Sequence, residues 1–166
     1  MVLISAFPAF NHPLNSRSRL RFTLILLSFG ITSCSSDDSN DNQGGLYLRF
    51  TYNGQNYDYE PETITSMVTS INGSEGVDAT YKFLSLTLPN DVTEGTYSIT
   101  SPDPSDLEAF NAYYNSESDA VDFDASSGTI TITNIDSEYI TGTFSFSGDN
   151  NGTTITITNG SFRAYK

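Results

Sequence analysis

Leu46-Tyr-Leu-Arg-Phe-Thr-Tyr52, Asn53-Gly54 and Gln55-Asn-Tyr-Asp-Tyr59 form the stretch on which the fold turns. On both sides of Asn53-Gly54, aromatic and aliphatic side chains alternate with polar ones at a period of two, the repeat of a strand with one wet face. Asparagine and glycine take positive φ more readily than other residues, so the pair closes a two-residue hairpin. Pro61 ends the second strand, because it has no N–H to give to a ladder.

The same period continues outward through Ile64 to Ile71, Thr80 to Leu88, Thr96 to Thr100, Ala120 to Phe123, Thr129 to Ile135, Tyr139 to Ser147, Thr153 to Thr158 and Ser161 to Tyr165. Turn signals separate these runs, at Asn72-Gly73, Pro89-Asn90-Asp91, Glu94-Gly95, Ser127-Gly128, Asn134 to Ser137, Gly148 to Gly152 and Asn159-Gly160. A turn every ~8 to 12 residues marks antiparallel neighbours. The expected fold is all-β: an antiparallel meander-type barrel, calycin-like, or a two-sheet sandwich of about 8 to 10 strands.

Parity predicts the core stripes: Tyr81 with Phe83 and, across a bulge, Leu88; Ile130 with Ile132; Ile140 with Phe144 and Phe146; Ile155 with Ile157; Phe162 with Ala164. Gly142 shares the stripe of Ile140, which marks a bend or a close approach of backbone. One segment departs from the pattern. Ser101-Pro-Asp-Pro-Ser105-Asp-Leu-Glu-Ala-Phe110 offers Ser105 and Glu108 as a capping box, which predicts one short helical turn near 105–112 or an ordered loop. Asn111 to Asn115 reads equally as strand or helix end.

Upstream of the strands the chain has a different character. Arg17, Arg19 and Arg21 precede the apolar run Phe22 to Ile31, with the length of a signal-peptide core and too short to span a bilayer. Ile31-Thr-Ser-Cys34 resembles a bacterial lipobox, which makes Cys34 the expected site of lipidation and the first residue of the mature chain. Several acyl chains on one residue anchor stably where a single chain binds marginally. Met1 to Ser16, with Pro8 and Pro13, is long for the region before such a core, and points to a start downstream. Residues 35–45 contain no apolar side chain and cannot bury enough surface to order themselves. The organisation expected is a lipoprotein signal peptide at 1–33, an acidic tether at 34–45 and one β domain at 46–166.

The motif Cys34-Ser35-Ser36-Asp37-Asp38 is similar to the acidic export signal of Bacteroidota lipoproteins. That resemblance implies delivery to the outer face of the outer membrane. The β region resembles the small β domains of uncharacterised lipoproteins of the same phylum. Gly95-Thr-Tyr-Ser-Ile99, Gly128 to Thr133, Ile140 to Phe146 and Ile155 to Phe162 carry the likeness. So does the opening Phe50-Thr-Tyr-Asn53-Gly54-Gln-Asn-Tyr57. It implies an envelope lipoprotein and no known activity.

Charge and residue types bound the chemistry. The net charge of −13 divides into +3 before Cys34 and −16 from it onward. A domain this acidic repels phosphate backbones, so no nucleic-acid partner is expected. His12 and Cys34 are the only histidine and cysteine. The β region therefore holds no triad of the Ser-His-Asp or Cys-His kind and no zinc site of the usual ligands, and no enzyme activity or cofactor is expected. Asp119, Asp122 and Asp124 are weak candidates for calcium. Their loop lacks the glycine and terminal glutamate of the helical calcium pattern, and alternation along a strand explains Asp122 and Asp124 equally well. Ten tyrosines leave ligand recognition as the remaining class, with Tyr113 and Tyr114 the candidate binding pair. The function expected is a non-catalytic binding module for glycan or protein, monomeric, held to the membrane by acyl chains on Cys34. The alternatives are a calyx for a small apolar ligand and a structural envelope lipoprotein.

Overall fold

A computed structural model describes residues 45–100 and 106–166. The expectations on residues 1–44, including Cys34, Ser35, Ser36, Asp37 and Asp38, lie outside the described residues, as does Ser105. Among the described residues there are eleven strands. They are β1 (Tyr47–Tyr52), β2 (Gln55–Tyr59), β3 (Glu62–Thr65), β4 (Val68–Glu75), β5 (Lys82–Pro89) and β6 (Gly95–Ile99). β7 (Asn111–Ser116), β8 (Val121–Asp124), β9 (Ser127–Ile135), β10 (Tyr139–Asn150) and β11 (Thr153–Tyr165) complete the set. The strands form a six-stranded sheet in the order β2-β1-β11-β10-β9-β6 and a five-stranded sheet in the order β3-β4-β5-β7-β8. All ladders are antiparallel. The two sheets face each other as a sandwich and do not close into a barrel.

The predicted hairpin is present. Tyr52 pairs with Gln55 across Asn53 and Gly54, whose φ angles are +49° and +73°. Leu48, Phe50 and Tyr52 of β1 point inward with Tyr59 of β2, while Arg49 faces solvent. Across from them, the five-stranded sheet contributes Ile71, Leu84, Leu86, Leu88, Ala112, Tyr114, Val121 and Phe123. Fully burying a side chain of this size contributes roughly 1.5–3 kcal/mol, so the core is the main source of stability.

Two expectations are corrected. First, the inward stripe of β5 is Leu84, Leu86 and Leu88, and Tyr81 is exposed while Phe83 is half-buried on the opposite face. The strand has no bulge to change parity, so three leucines inside force Phe83 out. Second, Asn72-Gly73 and Asn159-Gly160 are not turns. Gly73 lies in the middle of β4, where a Cβ would come within 2.8 Å of the Leu48 and Tyr59 side chains. Asn159, at φ +52°, is the extra residue of a bulge in β11 and shifts the buried set from Ile157 to Gly160, Phe162 and Ala164. The turn expected near 105–112 is present in its described part. The Glu108 N–H donates to Asp106 Oδ1 at 3.0 Å and the Ala109 N–H to the Asp106 carbonyl at 3.3 Å, a single turn after which the chain enters β7. Ala112, Tyr114 and Ser116 fill the inner face there, and ladders on both sides hold the segment extended.

Candidate functional site

Tyr113 and Tyr114 are neighbours in β7 and so face opposite ways. Tyr114 is wholly inside the sandwich, between Phe50, Tyr52 and Phe123, with ring centroids 5.8, 5.0 and 6.2 Å away. It is a core residue and not a ligand platform, which corrects half of the expected pair. Tyr113 lies on the outer face of the five-stranded sheet, half-buried, with its ring 6.0 Å from that of Phe83. Tyr81 stacks on the far side of Phe83 at 6.5 Å, so three rings run across the face.

Register supplies the polar groups between the rings. Across the sheet, Asn72 lies opposite Ser85, Ser85 opposite Tyr113, and Tyr113 opposite Asp124. On one side of this row Thr87 faces Asn111; on the other Phe83 faces Asn115 and Asn115 faces Asp122. The Oδ1 atoms of Asn111 and Asn115 are buried and accept no hydrogen bond from the protein. Such acceptors are few in a native fold. A cleft of about 390 Å³ opens here, with Tyr113, Asn111, Thr87 and Asp124 on its floor and Leu107 and Val68 at its apolar margin. The Tyr113 hydroxyl is pushed up to about 12, first by burial and then by Asp122, with Asp124 and Glu117 adding to it. It therefore stays a neutral hydrogen-bonding group under all ordinary conditions.

A second cleft, about 470 Å³ on the outer face of the six-stranded sheet, is larger but its polar groups satisfy one another. Arg49 Nε donates to Asp58 Oδ2 at 3.0 Å, and Thr51 Oγ1 to Asn56 Oδ1 at 2.8 Å. Both partners of the ion pair are exposed, where such pairs contribute little.

The three calcium candidates are not brought together. The Ser116 hydroxyl donates to Asp119 Oδ2 at 2.7 Å, whereas Asp122 and Asp124 point outward from β8. Among the described residues no group of three histidines, cysteines or carboxylates is placed to hold a metal ion. No helix of the described residues is long and apolar enough to cross a membrane.

Sequence reasoning missed Phe83, Asn111 and Asn115. The alternation of Leu84, Leu86 and Leu88 was the signal that would have turned Phe83 outward and set it beside Tyr113.

Fold and face together define a small antiparallel β-sandwich with a shallow aromatic and carboxamide cleft on one sheet. Over residues 50–165 the chain matches the model of a domain of unknown function, DUF6252, and it belongs to that family. This agrees with the resemblance drawn from the strand and turn residues at the level of a domain family of unknown function. No curated protein and no solved structure matches the chain.

Proposed function

We propose that this protein is a lipid-anchored lipoprotein of the outer membrane, facing the cell exterior, whose β domain is a non-catalytic glycan-binding module. The observation that carries the binding reading is the outward row Tyr81, Phe83 and Tyr113 beside Asn111 and Asn115. Sugar rings present apolar faces that stack on aromatic rings and hydroxyl edges that meet amides and carboxylates, and this sheet offers both on one face. The absence of histidine and cysteine after Cys34 supports a role without catalysis. The lipobox-like Ile31 to Cys34 and the following Ser35-Ser36-Asp37-Asp38 support the anchor and the address. The acyl chains on Cys34 then supply the membrane contact, and the chain works as a monomer.

Tyr113→Ala is expected to weaken binding to oligosaccharides about ten-fold (~1.4 kcal/mol), as loss of a central aromatic anchor does, with the fold intact by circular dichroism. Tyr165→Ala, on the other sheet, should leave binding unchanged. Equal affinities for the two variants would end the proposal for this face. The address is checked separately. Proteinase K added to intact cells should remove a C-terminal epitope from the wild type, spare a periplasmic control and spare the Cys34→Ala variant. Survival of the wild-type epitope until the membrane is broken would place the domain on the periplasmic side.

A further inference from the structure

We infer that the cleft selects glycans free of anionic groups and favours those carrying primary amines, an inference that rests on the glycan-binding proposal. The charges on the outer face of the five-stranded sheet are of one sign. Asp122 and Asp124 point outward from β8, Glu62 from the edge strand β3, and Asp106 lines the cleft from its own turn. No cation of the described residues shares this face. Lys82 sits on the inner parity of β5, with its Nζ 3.7 Å from Glu75 and 5.8 Å from the centre of the Tyr57 ring. Arg49 and Arg163 belong to the six-stranded sheet, over the rings of Tyr47 and Tyr139.

Hydrogen-bonding capacity points the same way. The carboxylates of Asp106 and Asp124, which line the cleft, can only accept. A ligand that satisfies them must bring N–H or O–H groups. A uronate or sulfate would instead set acceptor against acceptor and negative against negative. Neutral sugars bring hydroxyls, and an amino sugar brings an ammonium group whose bonds to carboxylate are charge-assisted.

The test uses the lipidated chain in detergent and three sets of oligosaccharides, neutral, amine-bearing and uronate-bearing, with affinities measured by calorimetry at moderate salt. Amine-bearing sugars are expected to bind about ten-fold more tightly than neutral ones, and uronates about ten-fold more weakly. The double variant Asp122→Asn, Asp124→Asn should flatten this order, because the asparagines preserve shape and remove charge. Uronates that bind the wild type as well as neutral sugars do, with binding lost in Tyr113→Ala, would overturn the charge selection and leave the glycan reading standing. No set binding the wild type better than Tyr113→Ala would overturn both.

Discussion

Gly142→Ala is expected to lower the unfolding free energy by about 3 kcal/mol, enough to unfold a large share of a marginally stable domain. Gly142 sits in β10 opposite Ile132 of β9 and Phe162 of β11. A Cβ there would press on the Thr131 carbonyl oxygen and come within 2.7 and 2.8 Å of two ring atoms of Phe162. The ring is fully buried and the carbonyl belongs to the ladder, so neither can move aside cheaply. Gly152→Ala is the matched control. Its φ of +86° strains any other residue, but nothing lies within 4 Å of the new methyl group, so a loss of about 1 kcal/mol is expected. Urea unfolding followed by tyrosine fluorescence measures both. A midpoint for Gly142→Ala no lower than that of Gly152→Ala would show that β9 and the Phe162 ring give way at this point without penalty.

At Tyr114 the size of the effect depends on what is removed. Tyr114→Ala empties the space between Phe50, Tyr52 and Phe123 and should cost about 3–5 kcal/mol. Tyr114→Phe keeps the ring and deletes a buried hydroxyl that has no hydrogen-bond partner of good geometry, so stability at neutral pH should change by less than about 1 kcal/mol. The two variants diverge further in alkali. Burial raises the Tyr114 and Tyr59 hydroxyls well above their ordinary value of 10.0. In the unfolded chain these groups ionise above that value, and in the folded protein they keep their protons. Their contribution is thus complete below pH ~10 and is lost as pH climbs beyond it. Tyr114→Phe removes one of the two groups, so its stability should fall less steeply above that pH than the wild type's. Parallel alkaline profiles would assign the loss to Tyr59 and the other tyrosines.

Asparagine-glycine pairs show why part of this fold was legible and part was not. Asn53-Gly54 turns a hairpin as expected, and Asn151-Gly152, with φ +55° and +86°, closes the hairpin between β10 and β11. Asn159-Gly160 uses the same left-handed tolerance for a bulge, and Gly73 is there only because Leu48 and Tyr59 fill the space above it. Local preference is identical in the four cases, and neighbours distant in sequence decide among them. The same holds for barrel against sandwich, which depends on which strands meet and not on how each alternates. Tyr113 stands out in the sequence as half of a tyrosine pair beside an irregular segment. Phe83 was hidden by an error of parity in β5, and Asn111 and Asn115 carry no motif until the register with β5 and β8 brings them beside the rings.

The order of strands in the larger sheet also governs when the domain can form. β1 is bonded on one side to β2, its neighbour in sequence, and on the other to β11, with Tyr47 opposite Arg163. A seam inside the sheet therefore joins the first strand to the last. Pairings between such distant segments close the longest loop in the chain and are among the slowest contacts for a polypeptide to find. As the chain emerges N-terminus first, β1 and β2 appear well before the strand that completes them, and Leu48 and Phe50 have no finished layer to enter. The native state of the domain therefore waits for β11, and until that strand is made the six-stranded sheet stays open at its seam.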